Sequence, residues 1–263
     1  MEANRSKSEK PLILVVNDDG ITAPGIRALI GFIKDIGELI VVAPNQSMSG
    51  MGHAITINST LRFHKYDGGD GLTEYTCSGT PVDCVKFGTE IAAKGRTVDL
   101  VVSGINHGHN YSINVIYSGT MSAALEGAIE GIPSIGFSLD NHNLDADFSP
   151  CEPIVKQLVK QLLNEKKRGI CLNVNIPAVP TEEIKGIKWC RQGKGFWQKD
   201  FQQRQDPLGK EYFWLSGKFE NRDENKTDTD IWAMDNNYVS VVPTQFDLTD
   251  YKELENLKLN EIK

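Results

Sequence analysis

Leu12-Ile13-Leu14-Val15-Val16-Asn17-Asp18-Asp19-Gly20 is the stretch on which the fold turns. Five apolar residues, mostly β-branched and without polar alternation, read as a strand covered on both faces. The strand runs straight into a turn of two adjacent carboxylates and a glycine. Beyond the turn, Thr22 and Pro24 open a helix in which Ile26, Leu29, Ile30 and Ile33 fall at i, i+3, i+4 and i+7, one apolar stripe. Residues 39–43 form a second buried strand, ended by Pro44, and a glycine-broken loop follows over residues 45–52. A buried strand, an amphipathic helix and another buried strand make a crossover unit, which requires a parallel sheet with helices on its faces.

The same alternation continues outward. From residue 53 to 77, Ile55, Ile57, Leu61 and Phe63 alternate with polar residues around a turn at 67–71, the pattern of a half-exposed hairpin. Thr80-Pro81-Val82-Asp83 starts a helix that runs to about Ala93, with Thr as cap, Pro in the first turn and Asp at the third position. Residues 100–103 are a third buried strand that opens into a long loop at 104–117. A helix over residues 118–130 carries Ala123, Ala124, Gly127 and Ala128 on one side and stops at Gly131 and Pro133. Strands at 135–139 and 171–176 flank an amphipathic helix at 153–164. The expected fold class is α/β: a three-layer sandwich with a mostly parallel sheet.

Past residue 184 the character changes. Residues 184–226 are polar and aromatic, with a hairpin-like turn at Asp206-Pro207-Leu208-Gly209. Trp197, Phe201, Tyr212, Phe213 and Trp214 are too many large aromatics for a solvated linker, and they predict an extended C-terminal arm that buries itself on a second subunit. Residues 238–242 read as a strand returning to the core and residues 250–262 as a charged terminal helix. The expected organisation is a flexible tail at 1–10, a catalytic α/β core at 11–183, and at 184–263 an oligomerisation arm, returning strand and terminal helix within the same domain.

Composition narrows the partners. The 263 residues carry 28 Lys and Arg against 35 Asp and Glu, a formal charge of −7. That balance excludes a nucleic acid duplex as the main partner, because phosphate backbones require a basic face. No stretch approaches the roughly 20 apolar residues of a membrane span. Met1–Lys10 lacks the apolar centre of a signal peptide. The five cysteines include no C-x-x-C pair and read as free thiols. These features lead us to expect a cytoplasmic protein.

Three loops follow directly on buried parallel strands, so topology carries them to the carboxyl edge of the sheet, where open α/β folds bind ligands. The first bears Asp18 and Asp19. The second bears Ser47 and Ser49 among glycines. The third bears Asn106, His107, His109 and Asn110 and leads to Ser118-Gly119-Thr120 at a helix start. Adjacent carboxylates repel and call for a positive partner. With hydroxyl and amide oxygens beside them they suit a hard divalent cation, Mg²⁺ or Mn²⁺, rather than zinc. The alternative is a plain Asp-Asp-Gly turn leading into a helix. Ser118-Gly119-Thr120 offers a helix N-terminus, a glycine and two hydroxyls to a phosphate, or else a simple Ser cap worth about 1 kcal/mol. A histidine among His53, His107 and His109 could bind a metal or move a proton, but at least two of the three read as loop residues, since Asn106 offers the harder ligand. No P-loop is present, and Gly50-x-Gly52 is an incomplete dinucleotide fingerprint.

These motifs together resemble the SurE family, stationary-phase survival proteins that act as metal-dependent 5′-nucleotidases. The matching segments are Val16-Asn17-Asp18-Asp19-Gly20-Ile21, Val42-Ala43-Pro44 through Ser49-Gly50, and Gly79-Thr80-Pro81-Val82-Asp83-Cys84-Val85. Ser103-Gly104-Ile105-Asn106-x-Gly108-x-Asn110, Tyr117-Ser118-Gly119-Thr120, Asn173-Val174-Asn175-Ile176-Pro177 and Arg204-x-Asp206-Pro207-x-Gly209 extend the match. The resemblance implies one divalent cation per subunit, Mg²⁺ or Mn²⁺, on Asp18, Asp19, Ser49 and Asn106. It implies phosphate or substrate contacts from Asn17, Gly50, Gly104, Asn110, Ser118, Gly119 and Thr120, and Asp18 and Asp19 as the catalytic pair. It also implies a Rossmann-like α/β domain and a homodimer or homotetramer built through an extended C-terminal β-hairpin arm. The expected reaction is hydrolysis of nucleoside 5′-monophosphates. A non-catalytic nucleotide-binding protein and a metal-dependent glycosyltransferase are the alternatives, and whether either aspartate is base, nucleophile or only ligand stays open.

Overall fold

The computed structural model describes residues 10–69, 71–143 and 145–258. The expected tail therefore lies outside the described residues except for Lys10, as does the end of the terminal helix. The first half of the chain runs β1 (Leu12–Val16), α1 (Pro24–Ile33), β2 (Glu38–Pro44), β3 (Phe63–Tyr66), β4 (Thr73–Cys77), α2 (Pro81–Phe87) and β5 (Leu100–His107). Then follow α3 (Gly119–Ile129), β6 (Ser134–Leu139), α4 (Glu152–Glu165), β7 (Cys171–Ile176) and β8 (Ile187–Trp189). The chain closes with β9 (Gly195–Gln205), β10 (Glu211–Asn221), α5 (Asp230–Asp235), β11 (Val239–Thr244) and α6 (Tyr251–Lys258).

Nine strands form one sheet in the order β3-β4-β2-β1-β5-β6-β7-β11-β8. All pairings are parallel except β3 with β4 and β7 with β11. β1 is buried along its whole length, and its side chains alternate between two layers. Ile13 and Val15 pack with Ile26, Leu29 and Ile33 of α1 and with Leu158 and Val159 of α4. Leu12, Leu14 and Val16 pack with Cys84 and Val85 of α2 and with Ala123 of α3. This is the expected three-layer sandwich, and each fully buried Leu or Ile in it contributes roughly 1.5–3 kcal/mol.

Local signals act as the sequence predicts. The α1 stripe is the buried face of that helix. Thr80 and Asp83 form a reciprocal capping box at the start of α2, and the helical path continues as a π-turn through Gly88–Ala92. The hairpin differs from expectation. Only β3 and β4 pair, while residues 53–62 form neither helix nor strand and expose Ile55 and Ile57. That segment is held by the capping box instead: Thr56 N and Oγ1 donate to the two Asp83 carboxylate oxygens at 3.2 and 2.6 Å, and Thr80 Oγ1 donates to Ala54 O at 2.8 Å. Side-chain bonds from α2 take the place of a neighbouring strand.

β5 runs four residues further than predicted, across a register shift between Ser103 and Asn106, so Asn106 lies within a strand. β8 and α5 are too short for periodicity to reveal. Between them, β9 and β10 form a separate antiparallel ribbon of eleven residues each, turning at residues 206–209. Phe201, Phe213, Trp214 and Leu215 on this ribbon are exposed. β11 returns to pair with both β7 and β8, so the C-terminal segment completes the main sheet.

Candidate active site at the carboxyl edge of the sheet

β1 connects through α1 to β2 on one side, and β5 lies on its other side. The carboxyl ends of β1 and β5 thus flank the point where the winding reverses, which opens a crevice. Asp18 and Asp19 follow β1, and Asn106 stands near the end of β5.

Asp18 is buried and fixed from several sides. Thr120 Oγ1 donates to its Oδ1 at 2.5 Å, and the Gly119 backbone N–H also favours its charged form. A Cβ on Gly119 would fall 2.6 Å from the Asp18 Cβ, so this helix start approaches the carboxylate as only glycine permits. Burial above all, and then the Asp19 charge, nevertheless push the Asp18 carboxyl up to about 6. Asp19 is half-buried, and burial raises its carboxyl too, against lowering contacts from the His107 charge and backbone N–H and from the Ser49 hydroxyl. The second loop is pinned to the first by Met48 N donating to Asp18 O at 2.8 Å. It is pinned to the turn before α3 by Gly52 N donating to Tyr117 O at 3.2 Å. Ser47 and Ser49 hydroxyls lie 3.0 Å apart.

Asn106 commits its amide hydrogens to His107 O and Gly108 O at 3.1 and 2.8 Å, which leaves its side-chain oxygen as the end for a ligand. Asp18, Asp19, Ser49, Gly119 and Thr120 are therefore brought into direct contact, with Asn106 joined to them through its neighbour His107. Two carboxylates whose ionisation is disfavoured by burial, with hydroxyl and amide oxygens beside them, fit a hard divalent cation. Among the described residues neither carboxylate forms an ion pair with a lysine or arginine.

The other predicted contacts have structural partners. Asn17 clasps its own turn, donating from Nδ2 to Gly20 O at 2.9 Å and accepting from Gly20 N at 3.2 Å. Ser118 caps α3 by accepting from Met121 N at 3.0 Å. Asn110 is buried in an amide network: its backbone N–H donates to Asn175 Oδ1 at 2.7 Å, its Nδ2 donates to Ser138 Oγ at 2.8 Å, and its carbonyl accepts from Asn173 Nδ2 at 2.8 Å. Gly104 is in the left-handed region and packs on Phe137 O. Gly50 lies on the open second loop with free space around it.

Sequence reasoning points to His53 and His109, and the family resemblance extends to Thr229-Asp230, but the partners of all three come only from the structure. Glu126 of α3 accepts from His53 Nε2 at 2.9 Å and pairs with Lys86, tying the segment just after the second loop to α2 and α3. Fully buried Asp230 accepts from the backbone N–H groups of Ser112, Gly193 and Ile231 at 2.7–2.8 Å, joining the root of the arm to the loop after β5. His109, Asp140 and His142 bring ligand atoms within 4.8 Å of one another, a group able to hold a metal ion. No spacing rule links residue 109 to 140 and 142, because only the pairing of β5 with β6 makes them neighbours.

A doubly wound α/β sheet with an oxygen-lined acidic site at its switch point is thus the class that fold and site define. The family model described as survival protein SurE matches residues 13–199. Proteins named 5′-nucleotidase SurE are similar along nearly their whole length. One from Flavobacterium johnsoniae is 57% identical over 259 residues, 97% of this chain and 99% of that one. One from Chlorobaculum tepidum is 41% identical over 266 residues, 98% and 99% of the two chains. The crystal structure of the SurE protein from Aquifex aeolicus superposes with a TM-score of 0.82 at 42% identity, over 96% of this chain and 100% of that one. This chain belongs to the SurE family. Among the described residues no helix is long and apolar enough to cross a membrane.

Proposed function

We propose that this protein is a divalent-metal-dependent 5′-nucleotidase that hydrolyses nucleoside 5′-monophosphates to nucleoside and phosphate. The observation that carries the reading is the pair of carboxylates, Asp18 and Asp19, both resisting ionisation at the sheet's switch point. The relatives' name, 5′-nucleotidase SurE, supports the same activity.

Asp18, Asp19, Ser49 and Asn106 would hold one Mg²⁺ or Mn²⁺ per subunit. When bound, such an ion supplies neutralisation of the phosphoryl oxygens and a more acidic water. The chain's own residues supply position. Thr120 and Gly119 keep Asp18 in one orientation. Ser49 and the His107 N–H steady Asp19, the more accessible of the two carboxylates. The N-terminal end of the α3 dipole stabilises negative charge building on the phosphoryl oxygens. In the overall reaction the phosphorus–oxygen bond to the nucleoside breaks, water's oxygen bonds to phosphorus, and one water proton leaves with the nucleoside hydroxyl.

Residues 11–183 act in this reading as the catalytic core, and residues 184–263 supply the arm, returning strand and terminal helix. The exposed aromatic face of β9 and β10 supports assembly into a homodimer or homotetramer. Trp197 at the base of the arm donates to Asn114 Oδ1 at 2.7 Å, which links the arm to the loop between β5 and α3. Five free, buried cysteines support a reducing, cytoplasmic setting.

The test is phosphate release from a panel of nucleoside monophosphates with Mg²⁺ or Mn²⁺, after EDTA, and with Asp19→Asn. We expect turnover that EDTA abolishes, metal restores and Asp19→Asn lacks. Metal-dependent nucleotide binding without turnover, transfer from a nucleotide sugar, or full turnover by Asp19→Asn would overturn the reading.

A further inference from the structure

The cluster His109, Asp140 and His142 stands on the loops after two adjacent strands, β5 and β6. Those loops are sewn together: Gly108 N donates to Leu139 O at 2.8 Å and to Asn141 O at 3.1 Å. His109 Nδ1 hydrogen-bonds Asp140 Oδ1 at 2.7 Å. The His109 ring stacks on Tyr111, with centroids 4.0 Å apart and planes 12° apart, so its orientation is set by packing. The His142 imidazole lies against Gly108, where a Cβ would come within 2.1 Å of its Cε1; glycine makes room for the ring. The two imidazoles meet edge to face at 6.1 Å. Two rings and a carboxylate thus converge from two loops, with the rings braced by Tyr111 and Gly108 and the carboxylate held to His109.

The surroundings are acidic. Asp235 on α5 lies close enough to Asp140 for the two carboxylates to interact, and Asp230 is fully buried at the start of the same helix. A cation here would relieve a concentration of negative charge that, among the described residues, no lysine or arginine pairs with at Asp140.

We propose that His109, Asp140 and His142 form a second cation site, distinct from the Asp18 and Asp19 set, that takes a zinc-class transition ion in preference to Mg²⁺. The donor chemistry carries the distinction. Two imidazole nitrogens and one carboxylate suit Zn²⁺, Co²⁺ or Ni²⁺, whereas Mg²⁺ prefers oxygen ligands throughout. Tetrahedral ligand atoms sit roughly 3–3.5 Å apart, so the present spacing within 4.8 Å closes by small rotations, above all of the exposed His142. Three protein ligands leave one position open to water or an anion. The proposal does not depend on the nucleotidase reading.

The test uses the full chain stripped of metal, with Mg²⁺ in excess throughout. Zn²⁺ affinity is measured by competition with a chromophoric chelator, and Co²⁺ absorption reports the coordination number. Wild type and Asp19→Asn should each bind one Zn²⁺, with a low-coordinate Co²⁺ spectrum. His142→Ala, an exposed change that leaves the core intact, should weaken binding roughly 100-fold and abolish that spectrum, as should Asp140→Asn. Equal Zn²⁺ binding by wild type and His142→Ala, loss of binding in Asp19→Asn instead, or no Zn²⁺ bound in the presence of Mg²⁺ would each overturn the proposal.

Discussion

Thr120 Oγ1 donates a 2.5 Å hydrogen bond to Asp18 Oδ1 across 102 residues of sequence. It joins the start of α3 to the end of β1 inside a site where the carboxylate would otherwise face burial with little support. Thr120 is therefore a positioning residue for Asp18. Thr120→Val keeps the shape but leaves a buried oxygen unpaired, at a cost of about 1–3 kcal/mol. We expect kcat to fall about 10–100-fold with little change in KM, and the apparent Mn²⁺ affinity to weaken. Thr120→Ser should restore most of both. Equal losses in the two variants would show a purely steric role.

Gly119 makes a second, steric demand. A Cβ there would sit 2.6 Å from the Asp18 Cβ and 2.8 Å from Oδ2. Gly119→Ala should displace the carboxylate, reduce kcat/KM about 100-fold and cost roughly 1–3 kcal/mol in stability. Gly31→Ala, on the outer face of α1 with nothing within 4 Å of the added carbon and an ordinary helical backbone, is the matched comparison for crowding.

Asp18 also predicts a pH dependence of the metal-free protein. Its carboxyl rises from an ordinary 3.8 to about 6, chiefly through burial. The folded state thus holds the proton more tightly than the unfolded chain. The resulting stabilisation is fully present below pH 3.8 and is lost as pH rises through about 6. In EDTA, Asp18→Asn should raise the melting temperature at pH 8 and leave it nearly unchanged near pH 4. Added Mn²⁺ should stabilise wild type by about 2.7 kcal/mol at a hundredfold excess over Kd and stabilise the variant far less. Equal responses to Mn²⁺ would remove Asp18 from the metal site.

Glu126 carries the opposite sign. His53 first, and then Lys86, hold its carboxyl below the ordinary 4.5 despite burial. Its contribution to stability is present above pH 4.5 and is lost as pH falls through the lowered value. Glu126→Gln should cost about 1 kcal/mol at pH 7, with the difference closing in acid. Denaturant titrations of both proteins at several pH values measure it directly.

The layers of the sheet were legible because burial leaves periodic traces. The run at residues 12–16 and the stripe Ile26, Leu29, Ile30 and Ile33 each encode which face is covered. The capping box of Thr80 and Asp83 is written in adjacent residues and forms as expected. Ile55 and Ile57 misled because alternation signals a strand only when a neighbouring strand supplies hydrogen bonds. Here Asp83 and Thr80 supply them from the helix. β8 and α5 were hidden because three and six residues are too few to show a period.

The sequence by itself determined the parallel α/β architecture and the carboxyl edge to which Asp18, Asp19, Ser49 and Asn106 belong, since periodicity marks buried strands and helices, and helical crossovers between strands make them parallel. Only the tertiary structure decided how those residues are used. It turned Thr120 and Gly119 toward Asp18, gave Ser118 to the helix as a cap and Asn17 to its own turn, and set His109 beside Asp140 and His142. Apart from the local bonds of Ser118 and Asn17, each within three residues, these are contacts between segments distant along the chain. Their geometry follows from which strands pair and how closely the helices pack, which no local spacing records.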